Sequence, residues 1–143
     1  MSKFATSEPG SLNAAAISWL LAQTLWVGGL WLLHFLILPA LARLGLAPLL
    51  VEEVGGHLRA LLVGLAAVCA GVQALVLVRV TGVSGLWRDM RGQLLLVVVT
   101  AAAAFLVARL YWPEVGLLPM FTYLVMAFCG LLLVLQPLPG GRR

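Results

Sequence analysis

Four apolar runs, each long enough to cross a bilayer as a helix, constrain this chain more than any other feature. They occupy about residues 15–38, 58–80, 94–112 and 117–136. A hydrocarbon core of about 30 Å takes roughly 20 helical residues. In lipid every peptide group must be paired within the protein, which leaves helices or closed barrels. The runs are continuous, rich in Leu and Ala, and lack the period-two alternation of barrel strands. The expected fold is therefore all-α: a polytopic membrane protein built as an antiparallel four-transmembrane-helix bundle. Residues 1–143 read as a single transmembrane domain, with polar tails at 1–14 and 137–143.

Composition excludes a soluble alternative. The chain is 63% hydrophobic and 10% charged, with a mean hydropathy of +1.10, where soluble domains carry about 45–50% apolar and about 25% charged residues. The formal charge of +4 is spread singly at the ends of the apolar runs. That pattern reads as membrane orientation and contact with anionic headgroups, and it is too sparse for nucleic acid. Cys69 and Cys129 each sit inside an apolar run without CxxC or zinc spacing, and read as small buried side chains.

The opening MSKFATSEPGSLNAAA is polar, and the apolar core after it is too long for a cleavable signal, so the first run reads as a retained span. With four spans both termini share one side. That side holds Lys3, Arg79, Arg88, Arg91, Arg142 and Arg143, against Arg43, Arg59 and Arg109 opposite, which places both termini in the cytoplasm. Between spans one and two, the apolar Leu44, Leu46, Leu49, Leu50 and Val51 are flanked by Arg43, Glu52 and Glu53. This predicts a short interfacial helix, separate or running into the second span, with a break near Gly45 or Pro48 and another bend at Gly55 and Gly56.

Helices in lipid associate by close contact rather than by hydrophobic drive. The second span carries Ala60, Gly64, Ala67, Gly71 and Ala74 at steps of four and three, a narrow small-residue face predicted to pack against neighbours. Gly28 and Gly29 on the first span, and Ala101, Ala104 and Ala108 on the third, offer weaker matches. The few polar residues within the runs (Gln23, Gln73, Gln93, Thr100, Thr122 and Gln136) suggest a polar seam of interhelical hydrogen bonds, or a path for a small solute.

Two histidines stand out. His34 lies about one turn inside the outer end of the first span, and His57 opens the second on the same side. Glu53 sits four residues before His57, on the same helical face. Neutral imidazoles with a carboxylate are ligand chemistry for copper, zinc or iron, and a histidine pair can hold haem. His34, His57 and Glu53 are therefore the candidate metal or haem residues, with helix-end tethering by His34 as the structural alternative. No nucleophile elbow, phosphate loop or dinucleotide fingerprint is present, and no carboxylate falls in the middle of a span. The chain carries no catalytic candidate and reads as a non-enzyme.

The stretch WVGGLW followed by LILPAL, with Trp26, Gly28, Gly29 and Pro39, resembles the opening of small bacterial four-span proteins related to eukaryotic transmembrane protein 205. The later VGGHLRALLVG is similar to that family's second-span start, at Gly55 and Gly56. The resemblance covers most of the chain by layout. It implies a four-span fold in a bacterial inner membrane and no reaction, the family being of unassigned function. The copper-resistance CopD type and the haem-associated HemJ type share the Trp–Gly opening. The HemJ type places its key histidine before the tryptophan, where this chain reads AAAISW.

The functional expectation is a small inner-membrane accessory or interaction subunit whose partners are the bilayer, other membrane proteins or a second copy. Metal or haem binding at the outer boundary and a small-solute permease are the alternatives.

Overall fold

Proline and glycine set the boundaries of the helices. In the computed structural model, which describes residues 14–114 and 116–136, the first span is one long helical path. It comprises α1 (Ala14–Leu32), a π-helical turn (Leu33–Ile37) and α2 (Leu38–Arg43). In the π turn the Leu38 N–H bonds to the Leu33 carbonyl, five residues back. Pro39 supplies the cause. It has no N–H, and its ring crowds the carbonyl of Phe35 four residues earlier, so the preceding turn widens. Gly45, at φ +68°, takes the left-handed position that closes α2. Ala47 is extended, as a residue before proline prefers, and Pro48 opens the next helix.

That helix, α3 (Pro48–Thr81), has 34 residues. At about 1.5 Å per residue it is about 51 Å long, well beyond the roughly 30 Å of a hydrocarbon core. Of the two forms expected for the connecting helix, the one that runs into the second span is seen. The apolar residues from Leu49 onward are the first turns of α3 itself, and the break falls at Gly45 to Pro48 as expected. Gly55 and Gly56 remain helical rather than bending the chain. Gly55 instead admits α2: a Cβ on it would lie 2.9 Å from Leu38 Cδ2. Gly82, at φ +79°, ends α3. A six-residue α4 (Val83–Arg88) leads to α5 (Met90–Tyr111), and α6 (Leu117–Val134) completes the described residues.

The path Ala16–Arg43, α3, α5 and α6 are four helices long and apolar enough to cross a membrane. The long helices pack as a ring: α1 lies against α3 and α6, and α5 against the same two. Trp26, Leu30, Val63, Leu95, Val98 and Met126 are fully buried at its centre. Phe35, Leu61, Leu110 and Leu117 are among many large apolar side chains left on the outside, which suits a lipid solvent. Lys3, Arg142 and Arg143, and nearly all of both polar tails, lie outside the described residues.

The small-residue stripe sits beside the main contact face of α3. The buried line is Val63, Ala66, Ala70, Gln73 and Leu77. Ala60, Ala67 and Ala74 touch the edge of the core, but a Cβ at Gly64 or Gly71 would meet nothing within 4 Å. Of the glycines on the spans, Gly130 on α6 is the most closely covered by a neighbouring span. There a Cβ would lie 2.8 Å from Val27 Cγ2 and 2.9 Å from the Trp26 ring of α1.

Candidate functional site: a side cavity at the π-helical turn

The buried polar residues mostly tie helices together. The Trp26 indole donates to Gln73 Oε1 at 3.1 Å, and Gln73 Nε2 donates to the Trp19 carbonyl at 3.2 Å. Arg109 Nη1, near the end of α5, donates to the Gly56 carbonyl of α3. Thr122 bonds to its own helix at the carbonyls of Leu118 and Pro119, and Thr100 likewise to Leu96. Gln93 is exposed and reaches the Trp87 carbonyl at 3.0 Å. Cys69 and Cys129 are buried free thiols.

One cavity, of about 290 Å³, lies where the π turn meets α3 and α6. Trp31, His34 and Phe35 come from the first span, Arg59 from α3, and Tyr123 and Phe128 from α6, with leucines and Met120 between them. The π turn lies between two anchored points. Upstream, the Tyr123 hydroxyl donates to the Leu30 carbonyl at 2.6 Å; downstream, Pro39 fixes the backbone. His34 lies on the rim, exposed, with its ring 6.2 Å from that of Tyr123 and edge-on to Phe35 at 5.2 Å. Trp31 stacks on Phe35, centroids 5.2 Å apart.

Arg59 brings only donors to this wall. Trp31 Nε1 is sealed from solvent and has no hydrogen-bond partner among the described residues. Arg59 is partly buried and likewise forms no hydrogen bond or ion pair among them. No Asp or Glu lines the cavity. Arg59 also lines a second, shallower hollow beside α2, together with Glu52, so its head stands between the apolar cavity and a polar margin.

The candidate metal residues are placed separately. His57 Nδ1 lies 3.2 Å from the Glu53 carbonyl oxygen and donates to it in the Nδ1–H tautomer. His34 faces the cavity instead. No three His, Cys, Asp or Glu side chains among the described residues form a group able to hold a metal ion. The expected meeting of His34, His57 and Glu53 is thus not assembled in this arrangement. Among the described residues no hydrogen bond from His34 tethers a helix end; its ring contacts are with Phe35 and Tyr123.

The sequence reading missed Arg59, Trp31 and Tyr123 as site residues. Arg59 counted only towards orientation. Its signal was an arginine at the very start of the second apolar run, where a charge beside hydrocarbon calls for a partner. The signal of Tyr123 was a phenol within an apolar span, whose polar tip needs an acceptor.

No family model matches the chain, no curated protein matches it, and no solved structure matches it.

Proposed function

We propose that this protein is a small, non-enzymatic accessory protein of a bacterial inner membrane that takes a lipid-soluble ligand from the bilayer into the cavity beside its π turn. The carrying observation is the cavity itself, walled by Trp31, Phe35, Tyr123 and Phe128 and supplied with hydrogen-bond donors at one end. Ligand sites are mostly apolar concavities with a few convergent polar groups. π-Helical turns are frequent at functional positions because they re-aim side chains within a helix. The proposed arrangement is an antiparallel bundle with both termini cytoplasmic and the first turns of α3 lying at the outer interface. Kinship with the transmembrane protein 205 group would fit this layout.

Native mass spectrometry of the protein released from nanodiscs of phosphatidylcholine and total bacterial lipid tests the reading. One lipid-soluble molecule per chain is expected to persist through delipidation. It is expected to be lost in Leu124→Trp, which fills the cavity from its half-exposed rim. Wild-type protein released bare, or retention unchanged by the filled cavity, would refute it.

A second reading rests on a separate observation. The open positions at Gly64 and Gly71 on α3 favour docking of a transmembrane helix of another protein, since small residues allow close backbone approach.

A further inference from the structure

We infer that the ligand of this cavity is a single-chain amphiphile with a carboxylate head, of the fatty-acid class, held by Arg59. This rests on the cavity being a ligand site and specifies what enters it.

Three observations converge on this class. First, the wall is asymmetric in hydrogen-bonding sense. Arg59 supplies donors only, and it has no acceptor among the described residues. The Tyr123 proton is already given to the Leu30 carbonyl, and no carboxylate is present. Such a wall is completed by an acceptor-rich, negatively charged group. A neutral head would leave the guanidinium unpaired, and a cation would be repelled.

Second, the charge sits at one end of an apolar space. Arg59 lines both this cavity and the hollow shared with Glu52, whereas Phe35, Leu124 and Phe128 are exposed where the cavity opens on the bundle's flank. A head at Arg59 and an alkyl chain leaving between Phe35 and Phe128 follow that polarity.

Third, the space suits a compact head. The cavity of about 290 Å³ accommodates a planar carboxylate and its first methylenes, with the rest of the chain leaving through the open flank. The planar fork of arginine matches a carboxylate in paired geometry.

The test uses the full chain in neutral phosphatidylcholine nanodiscs, with three probes: oleate, oleyl alcohol and dioleoyl phosphatidate. Occupancy is read by native mass spectrometry and normalised to partitioning into protein-free nanodiscs. Oleate is expected to bind at least about tenfold more tightly than oleyl alcohol, as for a charge-assisted hydrogen bond formed away from water. In Arg59→Gln the ratio should fall towards one by loss of oleate binding, with oleyl alcohol unchanged; Arg59→Lys should keep part of the preference. Unchanged oleyl alcohol binding also shows that Arg59→Gln still folds. Equal binding of oleate and oleyl alcohol by the wild type would overturn the carboxylate assignment and leave the cavity reading standing. A preference for phosphatidate over oleate would overturn it in favour of a phosphate head. Binding of none of the three would remove both readings.

Discussion

The indole of Trp26 donates to the side-chain carbonyl of Gln73 across 3.1 Å, joining the first span to the second at a point where both residues are fully buried. Gln73 passes the connection on to the Trp19 carbonyl. One amide thus holds two turns of α1 against α3 at a fixed rotation and height. Burying an amide without a partner costs about 2–7 kcal/mol, depending on reference state, so the same amide penalises any other register.

Replacement of Gln73 by Leu is therefore expected to destabilise the protein although it raises the hydrophobicity of the span. The Trp26 N–H would be left buried and unpaired, at a cost of about 1–3 kcal/mol. Unfolding by sodium dodecyl sulfate titration in mixed micelles measures it. The double variant Gln73→Leu with Trp26→Phe should recover part of the loss, because the orphaned donor is removed with its acceptor.

The glycines separate packing from open surface. Gly130 has no room for a methyl group against Trp26 and Val27. Gly130→Ala is expected to cost about 1–3 kcal/mol, the usual range for overpacking. Gly64→Ala and Gly71→Ala place their methyl groups where nothing lies within 4 Å. They should leave stability unchanged or raise it by up to about 1 kcal/mol, since alanine is the better helix former. Thermal unfolding in detergent distinguishes the two classes. Equal effects at all three positions would show that α3 presents a different face to the bundle.

Why was the stripe legible and the contact face not? Both run along α3 at steps of three and four, offset by one residue, and both are built of small or apolar side chains. Local pattern cannot choose between them. The choice is made by Gln73 with Trp19 and Trp26, partners 54 and 47 residues away. The four spans were legible because hydropathy over 20 residues is a local quantity, and Gly45 and Pro48 were legible because their backbone preferences are intrinsic. The face of His34 was not. His34 sits inside the π turn at Leu33–Ile37, where the backbone departs from regular helical spacing. Pro39 announced a disturbance without saying which backbone geometry would absorb it.

Pro39→Ala restores an N–H and removes the ring that crowds the Phe35 carbonyl. The π turn is expected to relax to α-helix, rotating His34 and Phe35 away from Tyr123. Spin labels on cysteines introduced at Leu25 and Leu44, both exposed, would report a changed distance across the turn by pulsed electron resonance. An unchanged distance would show that packing, not proline, holds the π geometry.

Tyr123 fixes the other side of that turn. Tyr123→Phe keeps the ring and deletes the hydroxyl that reaches the Leu30 carbonyl at 2.6 Å. The expected stability loss is about 1 kcal/mol, the net worth of one hydrogen bond. The Leu30 carbonyl already lies in a helical turn, which keeps the loss at that level. In native-state hydrogen exchange, amides of the π turn should exchange faster while those at the centre of α3 stay as they were. If instead the whole bundle loosened together, this bond would be supporting global stability rather than local geometry.

Helix docking at the open stripe makes the last prediction. Gly64→Ile and Gly71→Ile push large side chains into space that is empty within the single chain, so folding should survive, as a retained unfolding midpoint would show. Any transmembrane partner seated there loses close backbone approach, and small-residue interfaces depend on that approach. Affinity purification in mild detergent, scored by quantitative mass spectrometry against an Ile substitution at the fully lipid-facing Leu61 (71% exposed), should show a membrane protein that is recovered with the wild type and the Leu61 control and lost from both glycine variants. Recovery of the same proteins with all four chains, or of the lone chain throughout, would argue that α3 leaves this face to lipid.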